Sequence, residues 1–189
     1  MAKARLNSVL IGLQGKVGNL VFKHFRDGIV VAQKPQANDH DPTSSQLAQR
    51  ERFKLAVAYG KAVLADPTRK APYEAFAKKK RKRAIDLCIA DFLHPPSVDE
   101  IDLKVYSGKT GETIRVQASD DFEVTDVTVQ ITDGNGIIVE QGAAIRLVPH
   151  GFDWEYRTTT DLAPDQSMTI GVTATDRPGH KTTKVKVRA

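Results

Sequence analysis

The sequence predicts an α+β chain: an N-terminal β-hairpin and a basic helical region, then an all-β sandwich. Three observations predict it. Helical periodicity fills residues 43–93 and gives way, after His94-Pro95-Pro96, to short alternating runs separated by turns. The stretch before residue 35 reads as strands around two glycine-containing turns. Charge divides at the same boundary: residues 1–96 carry 18 Lys and Arg against 8 Asp and Glu, and residues 97–189 carry 10 against 15. The halves therefore stand at +10 and −5 and sum to the chain's +5. Such a split attracts a polyanion to one half, or another copy of the chain head to tail.

The expected regions are a strand arm over residues 1–34, a basic helical region over 35–96 and the sandwich over 97–189. In the arm, Ser8–Leu13 is apolar and partly β-branched, and Gln14–Gly18 holds two glycines for a tight turn. Asn19–Phe25 alternates, and Asp27-Gly28 precedes Ile29-Val30-Val31. Asp-Gly between β-rich runs signals a type I′ hairpin, because both central residues need positive φ. An isolated hairpin is marginal in water, so this one has to pack either on the helices of its own chain or on a neighbouring subunit. Leu10, Ile11, Leu13, Leu20, Phe22, Ile29 and Val31 are the side chains expected to enter a neighbouring sheet.

Lys34–Pro42 is polar, with Pro35 and Pro42 near its ends, and reads as a linker. Thr43 and Gln46 have capping-box spacing, and Phe53, Val57, Gly60 and Leu64 form the predicted apolar stripe of a first helix. That helix should stop near Asp66-Pro67. A second is expected to open at Ala71-Pro72 and run through Lys78, Lys79, Lys80, Arg81, Lys82 and Arg83 to Leu93. Six consecutive cations on one helix would wrap more than a full turn, too many for i,i+4 acids to pair. They are the candidate surface for a phosphate backbone or an acidic protein, widened by Arg50, Arg52, Lys54, Arg69 and Lys70 if the helices pack antiparallel.

The expected sandwich strands are Ile101–Tyr106, Thr113–Ala118, Val124–Thr132, Gly136–Glu140, Asp153–Thr158, Met168–Ala174 and Thr182–Val187, with Trp154 in the core. Seven short strands in about 90 residues suit an antiparallel sandwich. Ala174-Thr175-Asp176-Arg177-Pro178-Gly179-His180 resembles the last hairpin of bacterial immunoglobulin-like or fibronectin-like repeats, where A-x-D-x-x-G-N is frequent; His180 stands where Asn is usual. The resemblance makes this half an immunoglobulin-like β-sandwich and implies a binding or spacing module. The N-terminal half resembles a group of uncharacterised bacterial proteins through Gly15–Asn19 (GKVGN) and Pro42-Thr43-Ser44-Ser45-Gln46, which implies an architecture and no activity. Lys70–Ala84 is similar in composition to the final helix of HMG boxes, but the rest of that box is missing.

Chemistry is not expected. There is no Gly-x-Ser-x-Gly elbow, phosphate-cradling G-x-x-x-x-G-K-[ST] or H-E-x-x-H, so the chain reads as a non-enzyme without cofactor or small-molecule substrate. The five histidines are scattered, and Asp120-Asp121, with Asp126 and Asp176, is better suited to turn capping than to calcium. The single cysteine, Cys88, lies in an apolar run and reads as buried. No signal peptide or membrane-spanning run is visible, so the default location is cytoplasmic, with an exported or viral assembly left open. The expected function is a structural subunit that forms a homo-polymer or shell through its N-terminal strands and opposite charges. The alternative is a nucleic-acid-binding protein using residues 78–83.

Overall fold

The computed structural model describes residues 2–3, 14–25, 28–35, 41–162 and 167–188. The chain forms two compact units, Met1–Ser44 and Ser45–Ala189. It is α+β, with three helices and three antiparallel sheets among the described residues.

The first unit is a four-stranded sheet of β1 (Ala2–Lys3), β2 (Gly15–Val17), β3 (Leu20–Phe25) and β4 (Gly28–Gln33), in the order β1-β4-β3-β2. Gly15–Val17, read from sequence as part of a turn, is a strand. The chain reverses at Gly18-Asn19, where Gly18 supplies the positive φ of 56°. β3 pairs with β4 so that Phe25 faces Gly28. The expected turn residue Asp27 and the expected strand Ser8–Leu13 lie outside the described residues, so Leu10, Ile11 and Leu13 have no assigned place.

In the second unit, helices and sandwich, separate regions in the sequence reading, fold together. α1 (Ser44–Ala65) buries Ala56, Gly60 and Val63. Of the expected stripe, Gly60 is buried and Leu64 packs on the helical cluster, whereas Phe53 is exposed. Gly60 sits where α1 crosses α3 (Ala84–Leu93): a Cβ there would lie 2.7 Å from Ile85 Cδ1 and 3.4 Å from Cys88 Cβ. α2 runs from Pro67 to Lys80, a turn earlier than expected. Asp66 caps it, accepting from Thr68 N at 2.8 Å and Arg69 N at 3.3 Å, and Pro67 takes the first-turn position assigned to Pro72. Pro72 lies inside the helix.

Among the described residues the sandwich has eight strands. β5 (Ser97–Asp102), β6 (Thr113–Ser119), β10 (Asp153–Arg157) and β9 (Ile145–Arg146) make one sheet in that order. β12 (Lys181–Arg188), β11 (Met168–Asp176), β7 (Val124–Thr132) and β8 (Ile138–Ala143) make the other. β5 begins four residues before the expected strand and ends at Asp102, because Leu103–Tyr106 closes a turn through Tyr106 N to Leu103 O. Alternation works as expected at the centre: Val127, Val129 and Ile131 meet Ile170, Val172 and Ala174 in one core with Ile114, Val116, Trp154 and Tyr156.

β12 inverts the rule. Its register puts Lys186 opposite Ile170 and Lys184 opposite Val172, so cations occupy the inward positions, while Val185 and Val187 are exposed. The two ammoniums reach across to β5, Lys186 Nζ donating to Ile101 O at 2.7 Å and Lys184 Nζ to Asp99 O. Inward charges on an edge strand, bound to the carbonyls of the facing edge, keep both edges from recruiting further strands.

Gly142 on β8 packs against the ring of Tyr156, which Glu140 Oε1 pins by accepting its hydroxyl at 2.7 Å. A Cβ at 142 would lie 2.8 Å from that ring, whereas one at Gly171 would meet only Gln130 O at 3.9 Å. Gly142→Ala should therefore lower stability by about 1–3 kcal/mol, the usual cost of overpacking a fixed neighbour. Gly171→Ala should leave the denaturant midpoint unchanged or slightly higher. Equal effects would show that the Tyr156 ring yields.

Candidate functional site

The first candidate surface comes from strand register. Directly opposed residues of antiparallel strands share a face. Val17 faces Leu20, Phe22 faces Val31, and His24 faces Ile29, so Leu20, Phe22, Ile29 and Val31 fall on one face together with Val17. The other face mixes Lys16, Val21, Lys23 and Val30. Burial is uneven across the apolar face. Ile29 is 4% exposed, Phe22 and Val31 are intermediate, and Leu20 and Val17 stand 42% and 52% exposed. Val17 carried no signal in the sequence because it lay in what read as a turn.

The second candidate is the cationic run, and here the expectation of one continuous helix is corrected. α2 ends at Lys80, and Arg81 takes the left-handed conformation (φ 54°, ψ 37°). Arg81 N donates to Lys78 O at 3.3 Å and Lys82 N to Ala77 O at 3.0 Å, the Schellman pattern that normally uses glycine. With no glycine there, the break carries no signal in the residue pattern. Lys78, Lys79 and Lys80 occupy the last helical turn, where cations face the negative end of the helix dipole. Arg83 is withdrawn from the run: it precedes α3 and holds Asp86 through two contacts of 2.6 and 2.8 Å. That bidentate pair holds the Asp86 carboxyl below the usual carboxylate range.

All six cations are exposed. Lys80 and Lys82 line a cavity of about 240 Å³ with Phe76, Leu87, Asp121 and Phe122, and Lys80 Nζ lies 5.4 Å from the Phe76 ring centre. The residues expected to widen the patch are mostly engaged elsewhere. Arg52 donates to Leu93 O at 2.8 Å, Lys54 meets Glu51 at 3.5 Å, Lys70 meets Glu74 at 3.0 Å, and Arg69 lies over Tyr59.

A third feature was missed by sequence reasoning. Asp91 on α3 is fully buried, and Tyr73 Oη donates to its Oδ2. Burial, with Asp120 and Asp176 nearby, pushes its acid up to about 7 against the Tyr73 hydrogen bond. The available signal was its spacing: Leu87, Cys88 and Asp91 share one face of α3, so the carboxyl rides on the apolar side. Burial pushes the Cys88 thiol up to about 11, as befits a packed cysteine.

Of the acids weighed for calcium, Asp120 and Asp176 serve turns. Asp120 Oδ2 accepts from Phe122 N at 3.1 Å and Glu123 N at 3.0 Å. Asp176 accepts from Gly179 N, His180 N and His180 Nδ1 at 2.6–2.8 Å, which gives His180 a local partner in the last hairpin. Asp126 Oδ2 takes the Thr128 hydroxyl. Among the described residues, no group of three or more His, Cys, Asp or Glu is placed to hold a metal ion, and no helix is long and apolar enough to cross a membrane.

No family model and no curated protein matches the chain. CopC from Methylosinus trichosporium OB3b is similar in structure at 13% identity, over 49% of this chain and 89% of that one, with a TM-score of 0.37. A conjugate transposon protein from Bacteroides vulgatus shares 10% identity over 50% of this chain and 82% of that one, with a TM-score of 0.25. A lipoprotein from Bacteroides thetaiotaomicron shares 16% over 50% and 77%, with a TM-score of 0.26. These likenesses span half the chain and are too slight to bear on what it does.

A non-glycine residue in the left-handed region costs about 1–2 kcal/mol, of which glycine's extra unfolded-state freedom returns about half. Arg81→Gly should therefore raise stability by about 0.5–1 kcal/mol in thermal or urea unfolding. A loss of stability would show that the Arg81 side chain holds structure through contacts of its own.

Proposed function

We propose that this chain is a non-catalytic assembly subunit whose N-terminal sheet docks its apolar face on another copy. One observation carries the reading: the compact 1–44 unit buries Ile29 and leaves Val17 and Leu20 open on the same face. A sheet this small gains little stability by itself and does so by covering that face. Exposed Leu47, Phe53 and Leu55 on the first three turns of α1 add further uncovered apolar surface. The antiparallel pairing of β3 with β4 supports the hairpin-arm reading of this region.

A second copy is the favoured partner because the chain carries both signs of charge. The basic N-terminal half at +10 complements a sandwich at −5, and an interface between them is screened beyond about 10 Å at 0.1 M salt. The strand orders β5-β6-β10-β9 and β12-β11-β7-β8 support an immunoglobulin-like reading of the sandwich, since they follow the A-B-E-D and G-F-C arrangement with one added edge strand. Such modules serve as spacers and binding surfaces. The guarded β5 and β12 edges fit a subunit that must limit contact to chosen faces.

Light scattering across a concentration series at low salt tests this. The full chain should gain mass, and Leu20→Lys with Phe22→Lys should stay monomeric with an unchanged unfolding transition. Deleting residues 1–33 should abolish assembly and leave a cooperatively melting remainder. A full chain that stays monomeric throughout, or a truncated one that still polymerises, would sink the proposal.

Arg81 favours a second reading, in which the cationic segment meets a polyanion. A strained conformation held by an exposed cation, where glycine is the easier residue, fits a charge kept for use. Each phosphate neutralised contributes about 0.9 to the slope of log affinity against log salt on duplex DNA. Replacing Lys79, Lys80, Arg81 and Lys82 with Gln should flatten that slope by roughly 0.9 for each phosphate no longer neutralised. Identical slopes, or no binding by the unaltered chain, would retire this reading.

A further inference from the structure

Neither surface above uses Asp91. α3 reads AIDLCIADFL, apolar but for two aspartates. Asp86 stays outside with Arg83, while Asp91 shares the face of Leu87 and Cys88 and enters the core. Its Oδ2 is satisfied by the Tyr73 hydroxyl, which lies 3.2 Å from that of Tyr59. Its Oδ1 is buried without a hydrogen-bond donor among the described residues. Facing it is Asp120, in the turn between β6 and β7. Asp120 gives Oδ2 to the Phe122 and Glu123 amides, and its own Oδ1 is likewise buried without a donor. The Asp120 carboxyl adjoins that of Asp91 closely enough to raise its acid.

Two ionised carboxylates cannot make that contact, because each is acceptor-only and like charges in a buried site repel. One proton resolves both faults: it turns one oxygen into a donor, satisfies the other, and removes a charge. A divalent cation would also bridge them, but calcium takes six to eight oxygens, and no group of three or more ligating side chains is placed for a metal among the described residues.

We propose that Asp91 and Asp120 form an acid–carboxylate pair sharing one proton, which latches α3 onto the β6–β7 turn so that helix–sandwich packing loosens as the proton leaves.

The groups around the pair are specific. α1 contributes Tyr59, and α2 contributes Tyr73, with Arg69 over the Tyr59 ring. α3 contributes Cys88 and, beyond its end, His94, which meets Asp121 Oδ2 at 2.5 Å. The β6–β7 turn adds Glu123, which Arg177 and Arg146 hold at 2.7 and 3.5 Å. The β11–β12 turn adds Asp176 with His180 at 2.8 Å. The folded value of Asp91, about 7, lies above its unfolded value near 3.8. The native chain thus keeps a proton that the unfolded chain releases. The Asp91 contribution to stability falls as pH rises between those values and levels off above the upper one, by up to roughly tenfold in the folding constant per pH unit, and it is read as the difference between the unaltered chain and Asp91→Asn.

Three measurements on the full chain test the latch. Unfolding midpoints across that pH window should fall for the unaltered protein and stay nearly flat for Asp91→Asn, whose amide donates to Asp120 at any pH. His94→Gln should retain the fall, separating the pair from the neighbouring His94–Asp121 contact. Infrared difference spectra at about pH 6 should show a buried protonated carboxyl that Asp91→Asn lacks and that fades above the titration. If Asp91→Asn does not fold, carboxyl-carbon NMR of the unaltered chain reads the titration directly. An Asp91 that ionises near its unfolded value, or a full pH slope in Asp91→Asn, overturns the proposal. So does stabilisation by added calcium or magnesium that Asp91→Asn abolishes, which would make the bridge a cation.

Discussion

The second unit depends on one aromatic contact. Among the described residues the helices bury Val63, Tyr73, Ala77, Leu87 and Cys88 as one cluster, and Phe122 from the β6–β7 turn packs on it together with Tyr59, Leu64, Phe76 and Ala84. Its ring stacks on Tyr73 at 4.2 Å and 13°, and meets Phe76 edge-on at 5.3 Å and 88°. Offset stacking and edge contact are the favoured aromatic arrangements, and together they fix both the position and the tilt of the inserted ring. The helical region is therefore built around a side chain the sandwich supplies. That is why residues 45–189 form one unit despite their two textures. Arg177 lies over the same ring at 5.6 Å, so the last hairpin joins the seam as well.

The polar chemistry of the seam follows from that insertion. Bringing Phe122 onto Tyr73 carries Asp120, two residues before it, toward α3, where Asp91 is already buried. A turn that uses Asp120 Oδ2 to cap its own amides leaves the other oxygen buried without a donor. Buried carboxyls without donors are costly, so the contact needs either a proton or an ion to persist. The site is thus a consequence of packing rather than of any linear motif.

The two candidate surfaces differ in what they ask of the fold. The N-terminal sheet leaves Val17 and Leu20 exposed on the face that buries Ile29. The cationic segment is held rigidly by a cap, with three lysines placed where the helix dipole favours them. Part of that charge therefore serves α2 itself. Arg81, whose conformation costs stability, is the residue a dipole argument does not explain.

Much of the architecture was legible in the residues alone. Period-two alternation from Val124 to Thr132 marked β7 with its boundaries, because the inward positions Val127, Val129 and Ile131 had to be apolar to meet a facing sheet. Prolines marked helix boundaries, at Pro67 and at Pro95-Pro96, because the ring Cδ clashes with the preceding residue and pushes it out of the helical region. The alternation of Leu20, Phe22 and His24 along β3 followed from the same period. Tertiary structure decided the rest. Lys184 and Lys186 face inward because β5 offers carbonyls across the sandwich, a partner 85 residues away in sequence that alternation cannot register. The cationic run breaks at Arg81 because α2 must turn back into α3, although no glycine announces it. Asp91 is buried because α3 is covered on that face by α2 and by a turn of the sandwich. Local pattern determines which side chains point the same way; only the folded chain determines what they meet.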